Sequence, residues 1–168
     1  MKTFGEIIVG ILACLVLALL VFRFTGLEPK DRRPGLWLKG DLVTTPVTDW
    51  SFTDKVANVE LETRTWYLIP HSVRINCVAY NGHLYVSTVN PLGINAPHNW
   101  NVNVARDPHV RLKIGNQMYD RVLTAVTDPA EKAGMLQARV KKYPALQTDI
   151  NTSVATEASA RVFRITGN

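Results

Sequence analysis

Ile7 to Phe22 is an unbroken apolar run of sixteen residues, with no polar side chain except the Cys14 thiol. A run of that kind must leave water as a helix, which constrains this chain more than any other feature. A membrane-spanning helix needs roughly 17–25 residues. Phe4 to Phe24 supplies twenty-one, with Glu6 and Arg23 near the ends, where long side chains reach the interface. A secretory signal peptide needs a small-x-small cleavage site after its apolar core. The segment after this run, Arg23-Phe24-Thr25-Gly26-Leu27, is a poor site. Ile11-Leu12-Ala13-Cys14 faintly resembles a lipoprotein cleavage box, but the apolar run continues for eight residues beyond it. Residues 1–24 are therefore expected to be an uncleaved anchor, with membrane lipid as partner. Lys2 and the amino terminus precede the run; Arg23, Lys30, Arg32, Arg33 and Lys39 come after it. The positive-inside rule makes this a single-pass protein with its C-terminal part in the cytoplasm, and the lone Cys77 beyond the anchor fits a reducing compartment. Residues 25–50, rich in charge, Pro and Gly from Glu28 to Gly40, read as a juxtamembrane linker whose basic residues can meet anionic headgroups.

Residues 51–168 are enough for one domain with its own core. The chain is 46% hydrophobic and 20% charged, which excludes disorder. A net charge of +5 is too modest to indicate a nucleic-acid partner, and none is expected. Two cysteines exclude a disulfide scaffold and a four-cysteine zinc site.

Val59, Leu61, Thr63 and Thr65 alternate with Glu60, Glu62 and Arg64, the period of a half-buried strand. Val73, Ile75, Cys77 and Ala79 alternate with Arg74 and Asn76 in the same way. Asn81-Gly82 then suits a type I′ turn, which needs positive φ at both central positions, and His83 to Val89 returns. Val110 to Ile114, Gln117 to Thr127 and Ala160 to Ile165 supply further strands. Asp128-Pro129-Ala130-Glu131 carries a cap, a first-turn proline and a capping-box glutamate. The helix it starts shows an apolar stripe of Ala133, Leu136 and Val140 with Met135 beside it, and ends at Tyr143-Pro144. Pro97 to Ala105 reads as a second, short helix. The fold class is mainly β (α+β), a barrel or α+β sheet.

No nucleophile elbow, Walker loop, dinucleotide-binding glycine fingerprint or HExxH motif is present. His71, His83, His98 and His109 do not pair at metal-ligand spacing, so no metal is expected. Cys77, on the apolar side of its strand, reads as a buried structural thiol. From Ser87 to Val110 a strand runs into a polar loop and a helix start. Ser87, Thr88, Asn99 and Asn103 offer neutral hydrogen-bond partners there, and Trp100 a flat ring. The bland reading is capping asparagines and a core tryptophan.

The stretch Trp100 to Gly115, WNVNVARDPHVRLKIG, resembles the W-x-x-N-L-x-x-x-P-x-V-x-L-x-x-G segment of split-barrel flavoproteins, the pyridoxamine-phosphate-oxidase-like proteins and their deazaflavin-dependent nitroreductase and quinone-reductase branch. The likeness continues through Tyr119-Asp120-Arg121, Val126 to Glu131, Lys142-Tyr143-Pro144 and Arg161 to Ile165. Upstream, Asn81 to Thr88 is similar to that family's dG-x-L-Y-V-x-[AS] strand. The resemblance implies a six-stranded split β-barrel with one or two short helices, a homodimer, and FMN or a deazaflavin coenzyme at the subunit interface. His71-Ser72-Val73-Arg74 falls where the deazaflavin branch has G-[RK]-x-S-G-x-x-R, which makes His71, Ser72 and Arg74 candidate phosphate contacts. Pro70 to Val73 lacks the loop's glycines and its basic residue, and Arg64 is the candidate to compensate. Ser87 and Thr88 match the strand end that meets the flavin; His98, Trp100 and Asn103 match the following loop and helix. The resemblance further implies an oxidoreductase that reduces a small acceptor such as a quinone or nitro compound. The alternatives are a ligand-binding module without turnover and a structural subunit of a membrane complex.

Overall fold

The computed structural model describes residues 2–31, 33–88, 100–144 and 161–167. Helix α1 (Lys2–Thr25) carries the apolar run. At 1.5 Å per residue it is about 36 Å long, more than the roughly 30 Å of a bilayer's hydrocarbon core. It is the one described helix long and apolar enough to cross a membrane, and Phe4 to Phe24 present large apolar side chains outward, Phe24 at 79% exposure.

A two-residue strand β1 (Asp41–Leu42) comes next, then a 3₁₀ turn (Ser51–Lys55). The main sheet is β2 (Asn58–Thr63), β3 (His71–Tyr80), β4 (His83–Thr88), β5 (His109–Ile114), β6 (Gln117–Ala125) and β7 (Arg161–Thr166). The order is β1-β6-β5-β2-β3-β4-β7, and a further β6–β7 pairing closes the six long strands into an antiparallel barrel. Closure gives each of those six strands a partner on both sides over part of its length. The alternation read from the sequence sets the faces: Val59, Leu61, Cys77, Leu84, Val86, Leu112, Leu123 and Ile165 are all buried in one core cluster. Asn81 and Gly82 have φ of 49° and 76°, the two positive values a type I′ turn demands.

Helix α2 (Trp100–Arg106) sits between β4 and β5, and α3 (Pro129–Lys142) between β6 and β7. At the start of α3 the Asp128 carboxylate accepts hydrogen bonds from the Ala130 and Glu131 backbone N–H groups, both at 3.1 Å. Replacing it, Asp128→Ala, should cost about 0.5–2 kcal/mol and leave ligand binding unaltered; a melting temperature equal to wild type would remove the capping role. The buried face of α3 is rotated from the expected stripe. Met135, Leu136 and Arg139 are buried, whereas Ala133 is exposed. The reason is Gly134: a Cβ there would lie 2.2 Å from the Tyr80 hydroxyl, so the helix seats its smallest residue against that ring. The second core cluster, Val78, Tyr85, Met135, Leu136 and Val162, lies under this helix on the outer side of the sheet.

The 25–50 segment does not run free, as a linker would. Leu27 and Trp37 form a small hairpin through Leu27 N–H to Trp37 O (3.0 Å) and Leu36 N–H to Leu27 O (2.7 Å). Gly35 and Ser72 exchange two backbone hydrogen bonds, at 2.8 and 3.0 Å. Leu38 is 1% exposed, and Trp50 belongs to the barrel core. Polar composition conceals this, because the hairpin packs on a charged face of the barrel rather than on an apolar one.

Candidate functional site

That charged face is a consequence of the register. Opposite the inward residues, β2 turns Glu60 and Glu62 outward, and these stand beside Arg74 and Ser72 of β3 and beside Lys113 and Arg111 of β5. The Glu62 carboxylate accepts a 2.6 Å hydrogen bond from Leu38 N–H and lies 3.9 Å from Arg111. Lys113 pairs with Glu28 of the hairpin, and Arg111 Nε donates to Asp120 at 2.9 Å. Burial pushes the carboxyls of Glu60 and Glu62 up from their ordinary values; the Leu38 N–H and the charge of Arg111 offset part of that at Glu62.

The candidate phosphate and flavin residues gather at the barrel end where β3 begins and β4 stops. β3 and β4 pair from Cys77↔Val86 to Tyr80↔His83, while β4 pairs with β7 out to Thr88↔Arg161 and β3 with β2 back to His71↔Thr63. Among the described residues no β3–β4 pair is formed beyond Cys77↔Val86, and β4 ends at Thr88. Arg74 is exposed on the outer face opposite Glu60 of β2, whose carboxyl its charge helps to hold down, without a close ion pair among the described residues. Ser87 and Thr88 are half-buried at the end of β4. Arg64 is largely exposed and faces Asp107 at 3.4 Å, and its carbonyl accepts from the Arg106 guanidinium at 2.6 Å. Burial raises the Asp107 carboxyl, but hydrogen bonds from His109 and the charge of Arg64 outweigh this and hold it below the usual value.

Three assignments meet a different environment. Ser72 is 0% exposed and lies beneath Gly35, so a phosphate cannot reach it past the hairpin. Strand alternation puts Ser72 with Arg74 on an open polar side; the side is correct, but the hairpin covers one residue and not the other. Trp100 is 7% exposed and packs against Phe163 with ring centroids 5.5 Å apart, a core tryptophan rather than an open platform. Asn103 Nδ2 donates to Thr63 Oγ1 at 3.0 Å, and Thr63 Oγ1 donates to the His71 carbonyl at 3.1 Å. That chain ties α2 to β2 and β3, and leaves His71 half-buried at the start of β3. His98 lies outside the described residues. Arg74 and Ser87 share the outer face by strand alternation and could meet a phosphate, since an exposed guanidinium can give it two parallel hydrogen bonds; Thr88 turns inward, its hydroxyl 3.5 Å from the Arg161 carbonyl oxygen.

A second concavity lies where the sequence reading expects none. At the opposite end, a cleft of about 650 Å³ lies between residues 42–50 and strands β4, β6 and β7. Arg121 lines it, its guanidinium 5.6 Å from the Trp50 ring and 5.4 Å from the Tyr119 ring. Burial lowers the Arg121 pKa from its ordinary value, partly offset by Tyr119 and Asp120. Strand alternation carries the missed signal: Tyr119, Arg121 and Leu123 share one face, so the arginine belongs with the core side.

No protein-family model matches the chain, and no curated protein is similar to it. Solved structures are. One is a domain-swapped dimer, 20% identical, with a TM-score of 0.54, covering 66% of this chain and 80% of its own. Another is an F420-H2 dependent reductase, 19% identical, TM-score 0.50, covering 66% of this chain and 94% of its own. A pyridoxamine 5′-phosphate oxidase candidate from Listeria innocua is 15% identical, TM-score 0.50, covering 69% of this chain and 87% of its own. At such identities the likeness is one of fold. The six closed strands and these neighbours together make the chain a split β-barrel protein with an apolar helix at its N-terminus.

Proposed function

We propose that the chain is a membrane-tethered oxidoreductase that binds FMN or a deazaflavin at the end of its β3–β4 ladder, as a homodimer, and reduces a small acceptor such as a quinone or nitro compound. The observation that supports this reading most is the end of the β3–β4 ladder at Cys77↔Val86, with Arg74 exposed on the outer face beside it and the Ser87 hydroxyl on the same face by strand alternation. The cofactor would supply hydride transfer, and the protein position and electrostatics. Arg74 holds the phosphate, Ser87 offers a hydrogen bond at the strand end, and the core around Trp100 backs the site. α1 keeps the barrel beside the bilayer, where a lipophilic acceptor is concentrated, with the barrel on the cytoplasmic side.

The test is a titration of the detergent-purified chain with FMN, deazaflavin and riboflavin. Losing a charge-assisted hydrogen bond costs about 1.5–3 kcal/mol. Arg74→Ala should therefore weaken FMN or deazaflavin about ten- to hundredfold and leave riboflavin, which has no phosphate, nearly unchanged. Equal losses for both ligands, or none for either, would sink Arg74 as the phosphate contact. A second reading draws on the hairpin over Ser72: a barrel without turnover, serving as a binding module or as a structural subunit of a membrane complex. Absence of any binding to wild type at high flavin concentration selects the structural form of that reading.

A further inference from the structure

Strand β6 has two different neighbours along one edge. β1 pairs with it in parallel at Gln117 and Met118, extended by Val43 N–H to Met118 O at 2.8 Å. β7 pairs with it only from Val122 onward. Tyr119, Asp120 and Arg121 thus have no strand partner on that edge among the described residues, and the wall of the barrel has a gap there. The gap opens into the 650 Å³ cleft, and residues 44–50 roof it, fastened by Trp50 N–H to Gly82 O at 3.0 Å. Val43, Val47, Trp50 and Ile165 give it apolar walls. This volume lies in the range of small-molecule sites, which combine such walls with a few placed polar groups.

Arg121 is the placed group. It sits half-buried against the edge-to-face pair of Trp50 and Tyr119, which hold the guanidinium by cation–π attraction. Its hydrogen bond goes to the Asp120 carbonyl at 2.7 Å. The Asp120 carboxylate, which also borders the cleft, favours the Arg121 cation from a distance but makes its ion pair with Arg111 at 2.9 Å. No carboxylate among the described residues forms an ion pair with Arg121. A half-buried cation without a paired anion is costly unless something supplies the charge. A fold that needed only a filler here would place an apolar residue.

We infer that this cleft is a second ligand site, which takes an amphipathic monoanion: one carboxylate or sulfonate, bound by Arg121, on a flat apolar body seated between Trp50, Val47 and Ile165. The site is at the opposite end of the barrel from Arg74 and does not depend on the flavin reading.

The test uses calorimetric titration of the full chain in detergent, against a micelle blank, with 2-naphthalenesulfonate and its uncharged sulfonamide. Wild type should bind one sulfonate per chain and prefer it to the sulfonamide about tenfold or more. Arg121→Gln should weaken the sulfonate about ten- to hundredfold, the usual range for a charge-assisted hydrogen bond, and spare the sulfonamide. Arg121→Lys keeps the charge and should keep part of the preference. Val47→Trp fills the cleft with Arg121 in place, and should abolish both ligands while the β-type circular dichroism is unchanged. Equal affinity for the two ligands in wild type overturns the inference. So does undiminished sulfonate binding in either Arg121→Gln or Val47→Trp with native β-type circular dichroism.

Discussion

Gly35→Ala will detach the hairpin of residues 27–37 from the barrel. A Cβ at position 35 would stand 2.2 Å from the Leu27 carbonyl oxygen, 2.6 Å from Pro29 N and 2.6 Å from the Ser72 hydroxyl. Two of these are backbone atoms that no side-chain rotation can move. Either the hairpin opens or the β3 start is displaced, and the paired hydrogen bonds between Gly35 and Ser72 are lost in both cases. Overpacking usually costs about 1–3 kcal/mol, and backbone collision puts this substitution at or above the top of that range. Hydrogen exchange reads the event locally: the Ser72 amide, which donates to Gly35 O at 3.0 Å, should exchange at least about tenfold faster. Protease should cut within residues 27–37. Unchanged exchange at Ser72 would show that the hairpin is not held by this contact. The same variant shows how far flavin binding depends on the hairpin. If the hairpin withholds Ser72 from a phosphate, FMN affinity rises in Gly35→Ala; if the flavin reading rests on Arg74 alone, affinity stays as it was.

Much of the barrel is legible without coordinates. Period-two alternation places Val59, Leu61, Cys77 and Leu112 inside because a strand's faces are fixed by parity alone, and each of these is buried. Asn81-Gly82 and Asp128 succeed for the same reason, since a turn type and a helix cap are each decided by a few adjacent residues. Ser72 shows where locality ends. Its strand face is set by parity, but what lies above that face depends on Gly35, thirty-seven residues upstream, in a stretch whose charge and proline suggest solvent. Trp100 and Asn103 are similar. Their types suit a ligand or a core equally, and only the packing of α2 against Phe163 and Thr63 decides. Arg121 escapes notice because an arginine beside an aspartate reads as surface, although its parity with Tyr119 and Leu123 already sets it on the core side.

Glu62 is the hinge between hairpin and barrel, and removing its carboxylate should loosen both. Its side chain is 12% exposed, and it accepts from the amide of Leu38, a residue itself 1% exposed. Glu62→Ala leaves that buried N–H without its acceptor, at a cost of about 1–3 kcal/mol. The lost burial of its methylenes adds about 0.8 kcal/mol for each group that was fully buried. The pair with Arg111 adds little, since that guanidinium is one-third exposed and 3.9 Å away. A total loss of about 2–4 kcal/mol is expected. Glu62→Gln separates charge from shape. Burial raises the Glu62 pKa in the folded chain above its unfolded value, so the folded state binds the proton more tightly. Stability contributed by the protonated carboxyl is then present below the unfolded pKa and is lost as pH climbs through the folded one. The amide of the Glu62→Gln variant cannot ionise and escapes that loss. The melting temperature of Glu62→Gln relative to wild type should therefore move upward as pH climbs above the ordinary glutamate pKa of about 4.3. A difference that stays constant over that climb, or that falls, would mean the Leu38 N–H and Arg111 already outweigh the burial of the charge, and the hairpin would then owe its seat on the barrel to an ionised Glu62.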